Sequence, residues 1–162
     1  NLADYSPAGL YKLFDSKAAI IKAVHARENQ RLLDLLATVP NTLSPMQRLI
    51  ELCLLYVQFN LENPAYLTLV NNLSSGRKSK QQSVQSNSPY LVFLQAVEAW
   101  VQDEGITLNS DYEIEEITYA LWAQTHGMAT LRFNQLKDFE ADFESTNRQT
   151  LEIFFNGLRQ WK

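Results

Sequence analysis

Apolar positions in this 162-residue chain recur at three- and four-residue spacing almost throughout, and Ser-Pro, Asn-Pro and Gly signals divide the pattern into successive helices. From Ser16 the pattern continues through Ile20, Val24, Arg27, Arg31 and Leu35 to Thr38, and Pro40-Asn41 ends it. Ser44-Pro45, a cap followed by proline at the first helical position, opens a second helix that passes Leu49, Cys53, Tyr56 and Phe59 to about Glu62. Residues 49–57 are apolar on almost every side except Glu51, which predicts a central position. Asn63-Pro64 breaks this helix, and a shorter one runs from Pro64 to about Leu73. Residues 74–88 form the one low-complexity stretch, read as a mobile polar loop with a small basic patch. Ser88-Pro89 then starts a strongly apolar helix through Tyr90, Phe93, Val97 and Trp100, with Gly105 as its C-cap.

Two long helices close the pattern. One is predicted from about Asp111 to Asn134, with Ile114, Ile117, Leu121, Trp122, Thr125, Met128, Ala129 and Arg132 near one broad face. The other is predicted from about Ala141 to Trp161, with Phe143, Leu151, Phe154, Phe155, Leu158 and Trp161. Together they carry more apolar surface than one packed side requires, which points to an interaction surface. No alternating run suggests a strand and no internal repeat is present, so the expected fold is all-α.

Composition changes this picture little. With 46% hydrophobic and 20% charged residues the profile is that of a soluble globular domain. No apolar run approaches the ~20 residues that cross a bilayer, and the opening Asn-Leu-Ala-Asp is no secretory leader. The single cysteine, Cys53, lies in an apolar helix and reads as a buried small hydrophobe, consistent with a cytoplasmic location. Charge is uneven: residues 1–31 carry net +2 and residues 32–162 net −6, as a basic head on an acidic body would. No enzyme is indicated. A Gly-rich phosphate loop, a Gly-x-Ser-x-Gly elbow, a Glu-x-x-His pair and a His-Glu-x-x-His motif are all missing from the sequence. With one histidine in the body, His126, and one cysteine, neither a metal nor another cofactor is expected. Glu113, Glu115 and Glu116 read as the dipole-favoured first turn of their helix.

The opening residues hold a more specific signal. Ser6 can cap a helix and Pro7 suits its first position, so a short helix should run from Pro7 to about Phe14. Leu10 and Phe14 would dock inward, leaving Pro7, Ala8, Tyr11 and Lys12 on a small, aromatic and basic outer side. Asp15 or Ser16 caps the next helix. Lys17 then occupies a first turn where the helix dipole favours an acid, a placement that makes sense if the partner is a phosphate.

Ser6, Leu10, Tyr11, Phe14, Ser16 and Lys17 match in order and spacing the recognition helix and following helix of the TetR family of bacterial transcriptional repressors, which this run resembles. Leu13 stands where that family more often has an aromatic residue or His, and Asp4 where it usually has Gly. The resemblance implies that Tyr11 and Lys17 contact backbone phosphates of double-stranded operator DNA. It places Pro7, Ala8 and Lys12 against the major groove, with Ser6, at the start of the reading helix, counted among the DNA-binding residues. It makes Asn1-Leu2-Ala3 the last turn of the second helix of a three-helix head, with the first helix and most of the second outside this sequence. Residues 1–38 would then be the remnant of the head with its linking helix, and residues 39–162 a ligand-binding and dimerisation domain. The last two helices would pair with their symmetry mates in a homodimer.

Trp122-x-x-x-His126-Gly127 further resembles a signature of a subset of TetR-like C-terminal domains. Gly127 within a helix suggests a close helix approach or a local distortion. The family generally places its inducer site among the equivalent helices, which makes Tyr56, Phe59, Tyr66, Phe93, Trp100 and Trp122 candidate ligand contacts, with Asn60, Thr125 and His126 as polar partners. Aromatic residues at helical spacing are more often core, and a lone histidine is more often a hydrogen-bonded packing residue. Function is expected to be that of a ligand-responsive repressor, released from DNA by a small apolar or aromatic effector. A helical small-molecule carrier without DNA binding, or a stand-alone dimerising module, is the alternative.

Overall fold

The computed structural model describes residues 13–73, 88–106 and 113–159, with the side chains of 69–73 left aside. Six helices make up these segments: α1 (Lys17–Leu36), α2 (Pro45–Glu62), α3 (Pro64–Leu73), α4 (Pro89–Asp103), α5 (Ile114–Asn134) and α6 (Phe143–Arg159). No strand occurs among the described residues, and the fold is all-α. No described helix is long and apolar enough to cross a membrane. The loop expected over residues 74–88 lies, except for Ser88, outside the described residues.

The helix starts are chemically explicit. The Ser16 hydroxyl accepts from the Ala19 amide at 3.1 Å. At α2, Ser44 and Gln47 form a capping box, each side chain accepting from the other's main-chain N–H at 3.4 Å. Ser88 caps α4 through the Tyr90 amide at 3.2 Å. Ahead of α5 the Glu113 amide donates to the Glu116 carboxylate at 3.0 Å, so the acidic run serves the helix start as expected. The last helix begins at Phe143, two residues later than the pattern suggests, because Asp142 is its cap and accepts from the Ser145 amide at 3.0 Å.

Gly105 ends α4 as foreseen. Its φ of +59° lies in the left-handed region, and the Gly105 and Ile106 amides donate to the Gln102 and Val101 carbonyls at 3.2 and 3.1 Å. Ile106 is thereby turned back onto the core. At the other end of α5, the Arg132 guanidinium holds the carbonyls of Leu136 and Lys137 and lies 4.5 Å from the Phe143 ring centroid, tying the turn between α5 and α6.

Helix α2 is the hub, in contact with α1, α3, α4, α5 and α6. Its apolar run explains this: Leu49, Ile50, Leu52, Cys53, Tyr56, Val57 and Phe59 are all buried. Burial of each large side chain stabilises the fold by about 1.5–3 kcal/mol, and Tyr56, Phe93, Trp100 and Phe155 anchor the core around it. Glu51, the polar exception, is half-buried and pairs with Arg148 of α6 at 2.8 Å.

On the outside, α5 and α6 retain exposed apolar groups: Tyr119 is 69%, Leu131 49% and Ile153 72% exposed. Gly127 behaves differently from expectation. Helix α5 runs through it without a break, and an added Cβ would meet nothing within 4 Å, so neither a distortion nor a close approach inside this chain requires glycine there.

Candidate ligand-binding site

Tyr56 of α2 projects from the hub towards α4 and α5. Its hydroxyl lies 3.0 Å from His126 Nδ1. Its ring centroid is 4.9 Å from Trp122 and 6.0 Å from Phe93, and Phe93 meets Trp122 edge-on at 5.4 Å. Tyr90 closes the group at 5.9 Å from Trp122. Such edge and tilted contacts are the favoured geometries of aromatic pairs. Helix periodicity produces the assembly. Trp122 and His126 stand four apart on α5, and Tyr90 and Phe93 three apart on α4. Tyr56 and Phe93 are buried, whereas Tyr90, Trp122 and His126 are half-buried, giving a closed floor and a more open rim.

Two further polar candidates lie in the floor. Thr125 is buried beside the Cys53 thiol, and its hydroxyl donates to the Leu121 carbonyl at 2.8 Å. Burial pushes that thiol up to about 12, so Cys53 stays protonated and acts as the expected small hydrophobe. Asn60 is fully buried; its Nδ2 donates to the Tyr56 carbonyl at 2.8 Å, and its carboxamide lies close to the Tyr56 side chain.

Electrostatically the cluster favours neutral groups. Burial raises the Tyr56 phenol above its ordinary value, with the nearby Tyr66 adding to the effect, and burial lowers His126 below its ordinary value. At the rim, burial raises Tyr90, and the charges of Glu115 and Glu116 reinforce this.

The structure divides the remaining aromatic candidates from this group. Phe59 and Tyr66 meet edge-on at 5.5 Å and turn to α1, where Tyr66 stacks on His25 at 5.8 Å and its hydroxyl donates to Asn29 Oδ1 at 3.4 Å. Burial, with the Glu28 charge adding to it, raises Tyr66 to about 12. Trp100 does not join either set; it is fully buried against Phe155 of α6 at 4.9 Å. Of the residues assigned to DNA contact, Lys17 is exposed at the first position of α1, while Ser6, Pro7, Ala8, Tyr11 and Lys12 lie outside the described residues. Among the described residues no group of His, Cys, Asp and Glu is placed to hold a metal ion.

Glu28 was not singled out from the sequence. It is buried on α1, held by Arg27 at 2.7 Å and Arg31 at 2.6 Å. Burial alone would raise its carboxyl, but hydrogen bonds and charge from the two arginines outweigh it and leave it lowered. The Glu28-x-x-Arg31 spacing carried the signal, since residues three apart face one another on a helix; the adjacent Arg27 has no such spacing and shows itself only in the structure.

The described residues thus form an all-α body packed around one helix, with a tyrosine–histidine pair set among rings. The chain belongs to the family described as tetracyclin repressor-like, C-terminal domain, whose model matches residues 49–154, a span that contains the whole cluster. It is a TetR-family regulator, and the domain points to ligand-responsive control of transcription. No curated protein and no solved structure matches the chain.

Proposed function

We propose that residues 39–162 form the effector-sensing and dimerising body of a transcriptional repressor, and that residues 1–38 carry part of its DNA-reading head with the helix that links it to the body. In this reading the effector is a small apolar or aromatic molecule seated at Tyr56, Phe93, Trp122 and His126, with Asn60 beneath. The carrying observation is the Tyr56–His126 hydrogen bond inside a ring cluster whose rim is half-open, because ligand pockets are apolar with a few convergent polar groups. Phe59, Tyr66, Trp100 and Thr125 are then supporting residues that hold the elements around the site. Operator contacts are assigned to Ser6, Pro7, Ala8, Tyr11, Lys12 and Lys17.

The exposed apolar groups Tyr119, Leu131 and Ile153, with Gly127 and Gly157 open to close approach, support α5 and α6 as the face buried between two copies. Effector binding represses or relieves only by differential affinity: a molecule that fits one arrangement of α2 and α1 better shifts the population towards it and away from the DNA-competent one.

The test is fluorescence anisotropy of the natural full-length protein on DNA from its own promoter region at two salt concentrations. Selective binding that weakens steeply with salt is expected, as phosphate contacts release counterions. Folded, dimeric protein with no selective binding would refute the repressor reading in favour of a carrier.

A further inference from the structure

The floor of the cluster holds an acceptor that nothing in the described protein satisfies. Asn60 is fully buried, and the donation from Nδ2 to the Tyr56 carbonyl fixes its orientation, since turning the carboxamide over would set two oxygens against each other. The remaining atom, Oδ1, has no hydrogen-bond partner among the described residues. Buried amide oxygens are ordinarily paired, so one left over beside a ring cluster marks a place where a donor belongs. The hydroxyls of the cluster are committed elsewhere: Thr125 donates to the Leu121 carbonyl and Tyr56 faces His126.

Charge narrows the choice. The cluster of Tyr56, Asn60, Phe93, Trp122, Thr125 and His126 contains no lysine, arginine or carboxylate, so an ion entering it would lose hydration without gaining a counter-charge. Glu115 and Glu116 near Tyr90 further oppose an anion at the rim.

Resting on the effector-site reading above, we propose that this site takes an uncharged ring compound bearing a hydrogen-bond donor, an alcoholic or phenolic O–H or an indole-type N–H, which donates to Asn60 Oδ1 while its ring lies against Tyr56, Phe93 and Trp122.

Isothermal titration of the full chain at neutral pH tests this with matched probes that differ only in the donor: 2-naphthol against 2-methoxynaphthalene, and indole against 1-methylindole. Naphthoate and protonated naphthylmethylamine complete the set. The donor member of each pair is expected to bind about tenfold more tightly, the worth of one buried hydrogen bond. In Asn60→Leu the two members should become equal while the methylated probes keep their affinity. Equal affinities within both pairs in the unaltered protein would overturn the inference and leave the effector site standing, and that result does not depend on whether Asn60→Leu folds. Tighter binding of naphthoate or of the ammonium probe would overturn the uncharged class. Binding of no probe at all would sink the effector-site reading, and this inference with it.

Discussion

The Tyr56–His126 pair can be tested through folding energetics, independently of any ligand. Tyr56 is 2% exposed, and its hydroxyl lies 3.0 Å from Nδ1 of a half-buried histidine on a different helix. In Tyr56→Phe the ring contacts with Phe93 and Trp122 stay, so the loss is confined to the hydrogen bond and its unpaired partner. A net intramolecular hydrogen bond contributes about 0.5–1.5 kcal/mol, and because His126 is only half-buried, water can partly replace the lost partner. The expected destabilisation is therefore about 1 kcal/mol, or roughly 2–4 °C in Tm for a chain of this size. His126 also makes another interaction, so His126→Leu removes more than this bond. A double-mutant cycle cancels the excess and should return a coupling of about 1 kcal/mol. Urea denaturation at pH 7.5 and one fixed protein concentration is the assay, since any self-association makes stability concentration-dependent. A coupling below about 0.3 kcal/mol would refute the pair as an energetic link between α2 and α5.

Gly105→Ala places a Cβ at φ +59° and should cost about 1 kcal/mol by urea denaturation; no change would mean that α4 can end without its left-handed residue. Glu28→Gln removes the charge that Arg27 and Arg31 share, and because both arginines are more than half exposed the loss should be about 1–2 kcal/mol rather than the larger cost of a fully buried pair; an unchanged midpoint would deny it a structural role. The pH dependence of stability follows from His126. Its folded-state pKa is below 6.5, so the unfolded chain gains the proton first as pH falls; the contribution is complete above 6.5, declines below it and levels off once the folded state protonates. Denaturation midpoints between pH 7.5 and 5.5 should therefore fall more steeply for the unaltered chain than for His126→Leu, and parallel profiles would contradict this. On the proposed dimer face of α6, Ile153→Glu should lower the sedimentation coefficient from that of a dimer to that of a monomer without loss of helicity, whereas an unchanged coefficient would exclude that face from an interface.

Local chemistry made much of the fold legible in advance. Ser16, Ser44-Pro45 and Ser88-Pro89 open helices, and Gly105 closes one, because caps and left-handed termini are decided by a few adjacent residues. The central position of α2 was likewise visible, since an apolar run exposed on no side can be satisfied only by neighbours all round. Tertiary partnership was not. In sequence the nine aromatic and polar candidates form one set, yet Phe59 and Tyr66 face α1 and Trp100 packs on Phe155, because helical periodicity gives the face of a residue but not its height along a neighbouring helix. Gly127 shows a related limit: a glycine in a helix reports that a side chain is unneeded, and only the surroundings say whether space or contact is the cause.

That division into two ring sets has a mechanical consequence. Tyr56 and Phe59 stand three residues apart on the same rigid helix, one facing α4 and α5, the other engaging Tyr66 and lying 5.9 Å from the Arg31 guanidinium of α1. Beside it Arg31 bridges Glu28 and Asn63, and Asn63 Nδ2 in turn donates to the Phe59 carbonyl at 2.8 Å. A molecule that repositions Tyr56 by displacing α2, rather than by a side-chain turn, must therefore also change the packing of Phe59 and Asn63 against α1. If that change favours one placement of α1 by about 1.4 kcal/mol, the population of the other falls tenfold relative to it, which lies within the range of ordinary coupling between sites. Small probes that fill the ring cluster without moving α2 would bind and yet leave α1 where it was, so affinity at Tyr56 and response at α1 are separable properties of the same helix.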